Sequence, residues 1–226
     1  MTDGGLAVHT GRLSADRAAL RTPRAAAVAG IVFSVLVIVA MVLLRISVPA
    51  NPAVPGAWLS DSARRTAVTV ALNLVPFAGI AFLWFIGVIR DRIGDREDKF
   101  FGTVFLGSGL LFVAMLFVAA AVAGGLLAGA SAARSSGAPG ADTLALGRNV
   151  TGLLLNVYAM RMAAVFCLST VTLARKTSIV SRWLVTAGLV TALVLLIGTG
   201  ISAWVELLFP AWILALSVDI LVAGRQ

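Results

Sequence analysis

The chain is built from long uncharged apolar stretches separated by short polar ones, and the first of them, residues 25–44, contains no charged side chain. Twenty such residues span about 30 Å as an α-helix, the thickness of a bilayer's hydrocarbon core. Five more stretches follow, at residues 66–89, 100–125, 150–174, 183–204 and 207–224. In hydrocarbon each backbone N–H and C=O must be bonded within its own segment, which makes helices of spans like these. The composition agrees: 60% of the 226 residues are hydrophobic and 12% charged, more apolar surface than one soluble core can hide. The expected fold is an all-α integral membrane protein, a bundle of six transmembrane helices. Residues 1–24, with Arg12, Arg17, Arg21 and Arg24, are expected to form a flexible basic cytoplasmic tail, and residues 25–226 a single six-span membrane domain. The first stretch exceeds the roughly 7–15 apolar residues of a signal peptide, so it is read as a retained span.

Basic residues set the orientation. With the N-terminus inside, the inner segments carry twelve Lys or Arg and the outer loops five, the bias that marks cytoplasmic loops. Both termini are therefore expected in the cytoplasm, with the chain in the cell (inner or plasma) membrane. Aromatic anchors fall at the same boundaries: Trp84, Phe100, Phe101 and Trp183 inside, Trp58 and Trp204 outside. Asp61 or Ser60 is placed to cap the second helix. Pro49, Pro52 and Pro55 should stiffen the first outer loop. Residues 131–147 read as a mobile loop, and Pro210 fits the first turn of the last helix.

Composition also excludes chemistries. His9 and Cys167 are the only histidine and cysteine, so the His/Cys clusters of haem, zinc, copper and iron–sulfur sites cannot be assembled within one chain. No cofactor or metal is expected. The net charge of +8 lies between apolar spans rather than on one face, which argues for topology signals and against nucleic acid. Only Lys99 and Lys176 of the 18 basic residues are lysine; with the abundant Ala and Gly, this points to a GC-rich bacterial genome of the actinobacterial kind.

Four polar residues inside the spans form the candidate site. Arg161 lies near the middle of the fourth span, where arginine costs about 2.5–3.5 kcal/mol on insertion scales. It stays protonated, so it either meets an anionic substrate or locks two helices through an ion pair. Asp219, in the last span, is its expected partner. Its place toward a helix C-terminus disfavours an anion unless a cation or a proton accompanies it. Asn73 and Asn156 lie about 10 Å below the outer surface by helical rise, either joining helices or lining a cavity. Pro76 should bend the second helix beside Asn73. Gly30/Ser34, Gly107/Leu111 beside Gly109, Gly188/Ala192 and Gly198/Gly200 have the spacing of close helix contacts. Glu206 is expected to be solvated at the outer mouth.

An ungapped offset of 83 residues aligns Asn73 with Asn156 and Arg92 with Arg175, the pattern of a repeated helical hairpin. The inner loop at residues 90–99 carries four acidic and four basic side chains. Within residues 87–96, Gly87, Asp91, Arg92, Gly94 and Arg96 resemble the G-x-x-x-D-R-x-G-[RK]-[RK] loop of the major facilitator superfamily, in the position that family has it, between spans two and three. The resemblance implies close packing at Gly87, a turn at Gly94, and state-dependent ion pairs at Asp91, Arg92 and Arg96 in a gating or docking loop. Asp95 stands where the motif has a basic residue, and six spans are half the family's number.

No nucleophile–base pair is visible: Ser108, between Gly107 and Gly109, has no His or Lys within the membrane. The chain is therefore read as a non-enzymatic subunit or assembly partner of a hetero-complex with other membrane proteins. The alternative is a small transporter or channel acting as a homodimer, with Arg161 and Asp219 in its path.

Overall fold

The computed structural model describes residues 4–48, 57–93, 99–132, 141–177, 181–198 and 204–223. Their regular elements are all helical: α1 (Gly4–Ser47), α2 (Ser62–Ile93), α3 (Lys99–Ala132), α4 (Ala141–Leu153), α5 (Met160–Thr177), α6 (Arg182–Ile197) and α7 (Leu208–Ala223). A π-helical segment, Leu154–Ala159, joins α4 to α5, and 3-10 turns at Ala57–Ser60 and Val205–Leu207 precede α2 and α7.

Five helices are long and apolar enough to cross a membrane, with α4, the π segment and α5 acting as one. The remaining helix, α6, is apolar but has only 16 residues, about 24 Å of rise. The stretch at 183–204 is thus helical over only part of its expected length. Gly198 closes it, donating its N–H to the Val194 carbonyl at 2.7 Å.

Other helices outrun their apolar windows because capping and propensity continue past the hydrocarbon. Asp61 Oδ1 accepts the Ala63 and Arg64 amides at 2.9 and 3.3 Å, supplying the orphan donors at the start of α2. α4 occupies residues where a mobile loop was expected, and Asp142 in its first turn complements the helix dipole. α1 begins at Gly4, so the segment expected as a flexible tail continues the first helix. Its Ala, Leu and Arg residues are strong helix formers. The three prolines at 49–55 lie outside the described residues. Pro76 sits on an exposed face of α2, which runs on through it, and Pro210 occupies the first turn of α7.

The helices pack in chain order and close on themselves: α1 against α2, α2 against α3, α3 against α4 and α5, α5 against α6, α6 against α7, and α7 back against α1. Phenylalanines fill the axis of this ring. Phe82 of α2 is the hub, its ring centroid 4.5 Å from Phe33, 5.1 Å from Phe166, 5.4 Å from Phe112 and 5.8 Å from Phe209. These five side chains come from five helices and are all buried; edge and offset ring contacts each add about 0.5–1.5 kcal/mol beyond area burial.

Small residues let the helices approach. A methyl group on Gly30 would collide with Ser217 Oγ of α7 and the Phe85 ring, and one on Gly188 with Val171 and Trp212. The Trp212 indole, lying over Gly188, donates to the Leu184 carbonyl at 3.1 Å. Gly109 abuts Ile86 and Phe166, whereas Gly107 meets nothing within 4 Å and Leu111 is exposed. Only Gly109 of that group is a contact residue. Outside the ring, Val28, Val32, Phe77, Trp84, Val118 and Leu193 are among the many large apolar side chains left exposed, as a lipid-facing surface requires.

Candidate functional site

Arg45 lies in the last turn of α1 and Glu206 in the 3-10 turn ahead of α7. Because α1 and α7 are neighbours, their ends meet, and Arg45 Nη2 pairs with Glu206 Oε1 at 2.8 Å. Each charge also complements its own helix, a cation at a C-terminus and an anion at an N-terminus. The Glu206 side chain is only 10% exposed, which corrects the expectation of a solvated residue. The signal was present in the sequence as opposite charges at two outer helix ends, but adjacency of the first and last spans was not.

Asp219 has a different partner from the one expected. Its Oδ1 accepts the Ser181 hydroxyl at 2.7 Å and its Oδ2 lies 3.4 Å from the Ser181 amide. Ser181 is the N-cap of α6, so the carboxylate that sits badly at its own helix C-terminus sits well at the N-terminus of the neighbouring one. Arg161 lies sixteen residues before the end of α5 at Thr177, about 24 Å of rise from that level. The two residues do not pair.

Arg161 is exposed, and among the described residues no carboxylate is paired with it. The π segment explains its direction. Gly147 packs against Leu126 of α3, and in an unbroken α-helix a residue fourteen positions later falls close to the same face. The wider turn at Leu154–Ala159 rotates α5 by about 100° relative to α4, carrying Arg161 away from α3. Asn156, half-buried, and Tyr158, exposed, lie within this segment. Nothing in its apolar sequence announces the extra residue.

Asn73 is on another surface. With Arg65, Thr66 and Thr69 of α2 and Gly124 and Leu127 of α3 it lines an open groove of about 600 Å³. The donors there are turned back onto α2: Thr66 to Ser62 O, Thr69 to Arg65 O, and Asn73 Nδ2 to Thr69 O at 2.8 Å, with Arg65 bonded to Leu59 O. Asn73 in a regular helix and Asn156 in a π turn are not equivalent, and α3 has 34 residues where α6 has 16. The 83-residue offset therefore does not map onto matching hairpins.

Gly87 is exposed and has open space around it, which corrects the close packing implied by the loop resemblance. Asp91 and Arg92 belong to the last turn of α2 rather than to a loop; Gly94 and Arg96 lie outside the described residues. Ser108 Oγ donates to the Val104 carbonyl at 2.7 Å and Cys167 is fully buried. No group of three His, Cys, Asp or Glu among the described residues is placed to hold a metal ion. The chain matches no known family, curated protein or solved structure.

Proposed function

We propose that this chain is a non-catalytic subunit or assembly partner of a membrane complex, held by six spans in a bacterial plasma membrane with both termini cytoplasmic. The observation that carries the reading is the division between axis and surface. The axis is filled by Phe33, Phe82, Phe112, Phe166 and Phe209, while Arg161 and Asn73 point outward. Polar groups in the membrane normally face a bundle interior, a water-filled cavity or another protein. Here the axis is filled by aromatic rings and the polar groups buried beside them are small hydroxyls such as Ser34, Ser108 and Ser217, which favours neighbours as their environment. The homodimeric transporter has less support, because Arg161 and Asp219 are not paired and Asp219 is bonded instead to Ser181.

Native mass spectrometry after gentle detergent extraction from the source membrane tests this reading. A different chain at fixed stoichiometry is the expected result. A homodimer free of other subunits would overturn it.

A further inference from the structure

We propose that the groove between α2 and α3 is a binding site for one anionic glycerophospholipid, its phosphate held at Arg65 and an acyl chain laid along Val70 and Leu127. The inference goes beyond the subunit reading and does not depend on it.

The groove is a wedge. At its closed end the two helices touch: a methyl group on Gly79 would collide with the Phe117 ring, and Val113 also lies against that glycine. Nearer the start of α2 the gap has opened, and a methyl group on Gly124 of α3 would only reach Leu72 Cδ1 at 4.0 Å. Pro76 lies between these two levels and lacks the N–H that would bond the Leu72 carbonyl. From Leu72 to Arg65 the helices leave about 600 Å³ open, with the small Gly124 and Ala128 on the α3 side.

Two chemistries line it. Arg65, Thr66, Thr69 and Asn73 recur at the three- and four-residue spacing of one helix face, and Val70, Leu72 and Leu127 add apolar wall. Asn73 is eight residues beyond Arg65, about 12 Å of rise, whereas one headgroup layer of a bilayer is roughly 5–8 Å deep. A polar row that starts among headgroups and continues into hydrocarbon beside apolar wall fits an amphiphile better than a soluble ion.

The charge at the mouth selects the headgroup. Arg64 is paired with Asp61 at 3.3 Å, and among the described residues no carboxylate is paired with Arg65. One Arg65 nitrogen donates to the Leu59 carbonyl, which anchors the side chain and leaves its other N–H groups for phosphate oxygens. Asn73 donates one amide hydrogen to Thr69 O and leaves the second, with Oδ1, to the occupant. A zwitterionic headgroup would bring its own cation to Arg65, so a net anion is preferred.

The test titrates the full-length protein in detergent with phosphatidylglycerol or phosphatidylcholine of the same acyl chains and counts bound lipid by native mass spectrometry. One phosphatidylglycerol per chain is expected, held about fivefold more tightly than phosphatidylcholine. Arg65→Gln should remove that preference. Gly124→Leu, which fills the groove without changing charge, should weaken binding of both lipids, and Arg64→Gln should leave binding unchanged. Equal binding of the two lipids by the unmodified protein overturns the proposal without reliance on any variant. Displacement of the lipid by excess glycerol phosphate makes this a site for a soluble phosphate and overturns it. Equal losses in Arg64→Gln and Arg65→Gln reduce it to diffuse surface charge and overturn it, and a dimer that Gly124→Leu dissociates puts a second copy in the groove instead.

Discussion

Arg45 Nη2 lies 2.8 Å from Glu206 Oε1, tying the end of the first membrane helix to the start of the last and closing the ring of helices on the side away from Asp219. The pair sits at an edge: the Arg45 side chain is 33% exposed, so part of its field is screened by solvent. Truncating Arg45 to Met should leave the nearly buried Glu206 without its cation and lower unfolding free energy by about 1–3 kcal/mol. Replacing both, with Glu206→Leu, should recover part of the loss. Thermal unfolding of the four proteins in detergent gives the coupling energy. A coupling indistinguishable from zero would mean the contact holds nothing together.

Asp219 and Arg161 should behave as independent sites. Their separation predicts that Asp219→Asn and Arg161→Gln change stability additively, within about 0.5 kcal/mol. Asp219→Ala should cost more than Asp219→Asn, because only the amide retains an acceptor for the Ser181 hydroxyl. Non-additivity above about 1 kcal/mol in denaturation of the double variant would restore the direct pair.

Two glycines on α1 and α2 should respond oppositely to the same methyl group. Gly30→Ala meets Ser217 Oγ and the Phe85 ring, and overpacking of this kind costs about 1–3 kcal/mol. Ser217→Ala should relieve part of it, since Ser217 Oγ is buried with no hydrogen-bond partner. Gly87→Ala, in open space, should be neutral or stabilising by about 0.5–1 kcal/mol through helix propensity. Melting temperatures in one detergent separate the two.

The aromatic hub should dominate the packing. Phe82→Ala removes the ring that touches five others and should cost about 3–5 kcal/mol. Phe100→Ala, on an exposed ring at the end of α3, should cost far less. Folded yield and monodispersity on gel filtration report the difference.

Local signals in the sequence carried much of the fold and little of the site. Apolar runs located the spans, Asp61 announced a cap, and Gly30 and Gly188 marked close contacts, because each depends on neighbours along one helix. Helix ends were less legible: α4 continues from Ala141 outside the apolar window and α6 stops at Ile197 inside it. The phenylalanine hub draws one ring from each of five helices, so no window of sequence contains it. The Arg45–Glu206 pair depends on the ring closing between first and last spans. Arg161 was visible as an anomaly, yet its direction depends on one extra residue in a π turn, and Asp219, its expected partner by charge and depth, meets instead a serine at the start of a neighbouring helix.

With its axis filled by phenylalanines, the bundle should exclude water from its interior. Water access along the axis tests this most directly. In a Cys167→Ala background, single cysteines at Ala78 and Ala163, both fully buried in the core, are exposed in intact membranes to a water-soluble maleimide, with a cysteine at exposed Ser60 as the reactive control. Labelling is expected at position 60 and none at 78 or 163. Labelling at either core position would reveal an aqueous path through the bundle and contradict it.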